Sequence, residues 1–310
     1  MRSAIVTGAG GFLGSAVGRC FSRQNWSVIG LGSSVDTTAS WDVFYPLMLP
    51  NPRLTELLSI HQPDVLIHCV GSASVPSSFT APDRDYVASP VVLQELLEQV
   101  RRVSPRSRVI FLSSAAVYGS PRQLPISEQD ELNPESPYGF HKRMCEELCE
   151  EYSRFFGIQT AVVRIFSAYG PGLRRQVVWD VCEKALRESE VLLQGTGEES
   201  RDFVYVDDAA AALLRIAMQA ECVGEAYNLA SGIETNIEEL ANLIVSRLAP
   251  GKRIRFSGQK PQGMPQRWRA DISSLHKLDF QNMYSFEAGL DKTLAWYQQE
   301  VAEICRRQSA

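Results

Sequence analysis

The feature that most constrains this chain lies at its start. Ala4–Thr7 is a short, apolar, β-rich run, and it passes directly into Gly8-Ala9-Gly10-Gly11-Phe12-Leu13-Gly14, where a helical pattern begins at about Phe12. A strand, a glycine turn and a helix in immediate succession form the first part of a β-α-β unit. Glycines at such a turn let the backbone bend sharply, come close to a pyrophosphate and aim helix N-terminal N–H groups at its negative charge. The spacing is Gly8-x-x-Gly11-x-x-Gly14 instead of Gly-x-Gly-x-x-Gly. Its position between a chain-initial strand and a helix marks it as a dinucleotide site, with Gly8, Gly11, Phe12, Leu13 and Gly14 against the cofactor.

The alternation continues. Strand patterns at Ser27–Leu31, Val65–Cys69, Val109–Ser113 and Thr160–Phe166 are separated by helical patterns at about Val91–Arg102 and Tyr138–Phe156. The runs at Val65–Val70 and Val109–Leu112 are apolar throughout, as in strands covered by helices on both faces. After Gly170-Pro171-Gly172 longer helical stretches, about Val177–Glu188, Val206–Gln219 and Ile237–Leu248, are broken by glycine-rich turns. Residues 1–170 are therefore expected to form a dinucleotide-binding domain and 171–310 mainly a substrate lobe, with room for the chain to cross back after residue 170.

Composition narrows the function classes. Hydrophobic residues make up 45% and charged residues 22%, enough apolar side chain for a real core. The net charge is -5 and no basic block is present, so nucleic acid is not an expected partner. No apolar run approaches the roughly 20 residues that span a bilayer, and the chain start lacks a secretory pattern, which predicts a cytoplasmic protein with no membrane partner. Seven scattered cysteines without a C-x-x-C pair read as reduced thiols, and four scattered histidines give no ground for a metal.

Two further patterns carry chemistry. Tyr138 and Lys142 are four residues apart on one helical pattern and share a face. A tyrosine, with an ordinary pKa of about 10, is a weak base near neutrality, and an adjacent ammonium with a cationic nicotinamide favours its phenolate. Ser114, at the end of the Val109–Ser113 strand, is the candidate to hydrogen-bond the same substrate hydroxyl and pass its proton to Tyr138. The second strand normally ends in a carboxylate that holds the adenosine ribose of NAD. Here Gly32-Ser33-Ser34 follows, Asp36 is at best a late substitute, and the choice between NAD and NADP stays open.

In these patterns together the chain resembles the extended short-chain dehydrogenase/reductases, the NAD(P)-dependent nucleotide-sugar epimerase/dehydratase family, over nearly its whole length. The matching segments are TGAGGFLG, SSAAVYG, SPYGFHK, RIFSAYGPG (Arg164–Gly172), RDFVYVDD (Arg201–Asp208) and AYNLASG (Ala226–Gly232). The resemblance implies an α/β fold, a Rossmann doubly wound parallel sheet with a smaller C-terminal α/β substrate lobe. It implies a catalytic Ser114/Tyr138/Lys142 triad, with Ser33, Ser34, Val70 and Gly71 joining the glycine turn around the cofactor. A nucleoside-diphosphate sugar would be held by Ser167 and Arg201, with Lys260, Arg267 or Arg269 from the late loop neutralising the diphosphate. It also implies a homodimer formed through the helix beginning at Tyr138 and the one near Val91–Val100.

Departures from the family pattern are informative. Dehydratases of this family carry Asp-Glu where this chain has Ala115-Ala116, and the related decarboxylases keep a carboxylate there, so neither chemistry is expected. Ser167 replaces a common Asn, Asp85 stands where an Asn-Val-x-Gly-Thr motif usually begins, and His141 is expected to point away from Tyr138. The favoured activity is a nucleotide-sugar 4-epimerase of the UDP-hexose type. The alternatives are an NADPH-dependent reductase of a 4-keto-6-deoxy nucleotide sugar and, more remotely, a non-catalytic NAD(P)-binding regulator.

Overall fold

The computed structural model describes residues 1–34, 41–260 and 262–308. Its first part runs β1 (Ser3–Thr7), α1 (Phe12–Arg23), β2 (Ser27–Gly32), β3 (Val43–Pro46), α2 (Arg53–His61), β4 (Val65–His68), α3 (Val75–Thr80), α4 (Pro82–Tyr86), α5 (Val92–Val103), β5 (Arg108–Ser114), α6 (Pro137–Phe156) and β6 (Thr160–Ile165). The second part runs β7 (Ser167–Tyr169), α7 (Gln176–Arg187), β8 (Val191–Leu193), β9 (Ser200–Tyr205), α8 (Val206–Gln219), β10 (Val223–Leu229), β11 (Glu234–Asn236), α9 (Ile237–Leu248), β12 (Ile254–Phe256), α10 (Ser273–His276) and α11 (Phe286–Gln308).

Seven strands form one parallel sheet in the order β10-β6-β5-β4-β1-β2-β3. The continuous apolar runs of the sequence are explained by its two covered faces. Ile5, Leu66 and Phe111 pack toward Leu57, Leu96 and Cys149 of α2, α5 and α6, whereas Val6, Ile67 and Ile110 pack toward Val17 and Leu213 of α1 and α8. Such a doubly covered sheet is the Rossmann arrangement, with ligands expected outside the carboxyl ends of its strands.

The chain does cross back: α8 packs on α1 and β10 becomes an edge strand of the large sheet beside β6. The remaining second-half strands form small sheets, β11-β9-β7 and β12-β8, in a lobe whose core is continuous with one face of the large sheet. Two elements escape the sequence pattern. The edge strand β3 is half-exposed and has no apolar alternation to betray it. The other is the helical stretch ahead of α5: the expected helix at about Val91–Arg102 is α5 itself, but α3 and α4 precede it, with Pro82 opening α4 and Pro90 in a π-type turn at Val87–Val91, where it removes a backbone donor. Among the described residues no helix is long and apolar enough to cross a membrane.

Candidate active site

The glycine turn sits at the carboxyl end of β1, where Ala9 N–H donates to Leu31 and Gly11 N–H to Gly8. A Cβ on Gly14 would lie 2.2 Å from the Gly8 carbonyl oxygen, so only glycine lets α1 begin this close to the turn. Gly11 at the N-cap has no side chain to cap α1, and the first turn of the helix holds no acidic residue. Free N–H groups, a glycine approach and the absence of a competing carboxylate fit the pyrophosphate of a dinucleotide. Phe12 and Leu13 are half-buried beside this opening, and Phe12 is in reach of the Gly170-Pro171-Gly172 turn. Ser33 and Ser34 are exposed at the end of β2, Ser34 crowding Gly10; Asp36 lies outside the described residues.

At the carboxyl end of β4 the chain passes through Val70 to Gly71, whose φ of +153° favours glycine. A Cβ there would stand 3.3 Å from Lys142 Nζ and 3.5 Å from Ser89 Oγ, so the bare backbone leaves room for the lysine. Val70 N–H faces Gly8 across the same gap. The glycine turn and the Tyr-x-x-x-Lys helix, over a hundred residues apart in sequence, are thereby brought to one place.

Helix α6 starts cleanly. Ser136 Oγ accepts from Gly139 N–H at 3.1 Å and Pro137 occupies the first turn. Lys142, buried, donates from Nζ to the Leu112 carbonyl at 2.8 Å and lies 4.9 Å from the Phe111 ring centroid and 5.9 Å from that of Tyr138. Tyr138 rests on the apolar cluster of Ala115, Ala116, Val117 and Tyr118, which directly follows Ser114. Ser114 Oγ accepts from Ala116 N–H at 3.2 Å. Ser114, Tyr138 and Lys142 thus converge on the end of β5.

His141 turns to Asp85 of α4, its Nδ1 2.5 Å from Asp85 Oδ2, with Tyr86 edge-on to its ring. Asp85 is buried and its other oxygen has no partner among the described residues. Beneath the site His68 is fully buried, its Nδ1 2.9 Å from Thr7 Oγ1, and burial pulls its pKa down to about 3. Burial likewise pushes the Cys69 thiol up to about 12, which keeps it protonated and unreactive.

The second lobe faces this end of the sheet with β7, β9 and the segment Gln266–Ala270. Ser167 is half-buried and opposite Phe203. Arg201 stacks its guanidinium 5.3 Å from the Trp268 ring and donates from Nη1 to Ser200 and Pro265 carbonyls; burial lowers its pKa to about 10, so it stays cationic at neutrality. Next to it Asp202 is fully buried and accepts from Ser231, Gly232 and Ala270, fixing the segment that carries Arg269. Trp268 donates from Nε1 to the Gly119 carbonyl, docking this segment on the turn that follows β5.

The candidate cations differ in their freedom. Arg267 is 60% exposed and forms a two-pronged ion pair with Glu234, at 2.7 and 2.8 Å. Lys260 is exposed. Arg269 is half-buried, and its Nε has no hydrogen-bond partner among the described residues. Basic residues in a loop look alike in sequence, and only the fold distinguishes the one tied to a neighbour from the one with a donor to spare.

A family model described as the NAD dependent epimerase/dehydratase family matches residues 4–230. The chain belongs to this family. It is 29% identical to the uncharacterized UDP-glucose epimerase YtcB of Bacillus subtilis, over 94% of this chain and 96% of that protein. Identity to UDP-glucuronic acid decarboxylase 1 of Xenopus tropicalis is 26%, over 98% of this chain and 74% of that protein. The solved UDP-glucose 4-epimerase of Thermotoga maritima, crystallised with UDP-glucose, superposes with a TM-score of 0.88 at 27% identity, covering 96% of this chain and 99% of that one. The protein is thus an extended short-chain dehydrogenase/reductase-type enzyme with a site for a nicotinamide cofactor.

Proposed function

We propose that this enzyme is a 4-epimerase of a UDP-hexose, working through Ser114, Tyr138 and Lys142. The observation that carries this reading is the pair Ala115-Ala116 beside the triad, 0% and 8% exposed and packed in an apolar cluster. Water elimination and decarboxylation need an acid or base at that point, and methyl groups supply none. Epimerisation at C4 needs only the triad. The Thermotoga maritima likeness adds support for a UDP-linked sugar.

In this reading Tyr138 removes the proton of the sugar C4 hydroxyl and later returns it. Ser114 hydrogen-bonds the same oxygen, and the Lys142 ammonium favours negative charge on the phenol oxygen. The chemistry that a bound nicotinamide would supply is reversible hydride transfer with sugar C4. Gly8, Gly11, Phe12, Leu13, Gly14, Ser33, Ser34, Val70 and Gly71 would hold the cofactor; Arg201 and Arg269 would neutralise the diphosphate, with Ser167 at the sugar end.

The test is incubation of purified enzyme with UDP-, GDP- and dTDP-sugars while product and reduced nicotinamide are followed together. The expected result is interconversion of C4 epimers of a UDP-hexose with no net nicotinamide change, and a loss of about 10³-fold in kcat for Tyr138→Phe. Loss of water or carbon dioxide from the substrate would overturn the reading. The carboxylate-free Ser33-Ser34 end of β2 favours a second reading, an NADPH-dependent 4-keto sugar reductase, which predicts stoichiometric NADPH oxidation instead.

A further inference from the structure

The triad is held from behind by a buried polar network that the epimerase reading leaves unused. Glu146 lies one helical turn beyond Lys142 on α6 and is buried. Its Oε1 accepts from Ser113 Oγ on β5 at 2.5 Å. The Arg164 guanidinium of β6 grips both its oxygens, with Nη2 at 2.8 Å from Oε2 and Nε at 3.1 Å from each. Arg164 also donates to the Tyr118 hydroxyl at 2.8 Å, and Tyr118 donates to Asn228 Oδ1 on β10 at 2.7 Å. A charge buried this deeply is tolerated because its lone pairs are filled, and removing one partner leaves the other uncompensated.

The geometry of attachment points to a role in catalysis. Leu112, Ser113 and Ser114 are consecutive at the end of β5, and Lys142 and Glu146 are successive turns of α6. Lys142 reaches the Leu112 carbonyl and Glu146 receives the Ser113 hydroxyl. The apolar packing of Cys145 and Cys149 holds α6 against the sheet but is non-directional, whereas two hydrogen bonds to consecutive residues of β5, a turn apart on α6, fix its axial position. We infer that Glu146, through Ser113 and Arg164, is a positioning residue that sets the axial register of α6 on β5 and hence the distance from Tyr138 to Ser114. This rests on the triad of the epimerase reading, and a misplacement of about 1 Å at reacting atoms is worth roughly 10²-fold in rate.

The test uses Ser113→Ala, which cuts the β5 tie and leaves the Glu146–Arg164 ion pair whole, with Ser113→Thr as the conservative restoration. Glu146→Ala is unsuitable because Arg164 would be left buried and unpaired. Two measurements are made on the full chain: amide hydrogen exchange across α6, and kcat and KM for the UDP-hexose. Ser113→Ala is expected to speed exchange at Gly139–Arg143 at least tenfold while α5 is unchanged. It is also expected to lower kcat about tenfold with KM within twofold, and Ser113→Thr to restore both. Unchanged exchange in α6 would overturn the inference, as would faster exchange spread over the whole chain in step with a lowered Tm. If wild-type enzyme epimerises none of the sugars but Ser113→Ala still loosens the start of α6 alone, the epimerase reading falls and the register role of Ser113 and Glu146 stands.

Discussion

Single side chains in this site are defined by what their neighbours leave free. Arg267 and Arg269 are two residues apart in the same loop, yet Glu234 occupies the first while the second keeps a buried Nε with no partner among the described residues. A buried guanidinium donor without an acceptor is unfavourable unless a ligand completes it. Arg269→Ala is therefore expected to raise the KM for the nucleotide sugar about tenfold or more, while Arg267→Ala changes it less than twofold. Steady-state kinetics of the two variants separates them, and equal effects would remove Arg269 from the diphosphate site. Gly71 was legible in sequence as a residue after a strand and, through the family resemblance, as one beside the cofactor. Its φ and its nearness to Lys142 Nζ arise from a helix packed on β5, and no local pattern encodes that.

Among the elements, α6 does most to organise the site. Its cap, its length and the Tyr138/Lys142 face follow from Ser136, Pro137 and the 3.6-residue repeat, all readable from the chain. Its inner face, Cys145, Cys149 and Tyr152, packs with α5 against the sheet. Its outer face is less well covered, with Phe140 55% and Phe155 69% exposed. The α5–α6 pair is accordingly the surface on which a second copy of the chain is expected to dock by apolar contact around a two-fold axis. Sedimentation velocity should give about twice the 34.5 kDa chain mass for the native protein and a shift toward monomer for Phe140→Lys with Phe155→Lys. A native protein that runs only as monomer would end this proposal.

For the molecule as a whole, the buried imidazole of His68 links folding to pH. Its pKa falls from the ordinary 6.5 to about 3 because burial disfavours the charged ring, with the Lys142 ammonium adding to the effect. Below pH 6.5 the unfolded chain takes up a proton that the folded chain refuses, so this contribution is complete above 6.5 and is lost as pH falls toward 3. Denaturant unfolding of wild type and His68→Asn at several pH values isolates it. Their difference in unfolding free energy should move in favour of wild type by about 1.4 kcal/mol per pH unit between pH 3 and 6.5 and then level off. A difference independent of pH would mean that His68 titrates alike in both states.

Much of this architecture was written locally. Strand runs, the Gly8–Gly14 turn, the helix starts at Phe12 and Pro137 and the Tyr138/Lys142 pairing depend on near neighbours in the chain, where steric preference and periodicity act directly. The return of β10 to the large sheet, the Leu112–Lys142 and Ser113–Glu146 ties and the choice between Arg267 and Arg269 depend on residues 30 or more positions apart. Each of them is settled by packing: a buried hydrogen-bonding group must find its partner wherever the folded chain brings one, and sequence distance carries no record of that meeting.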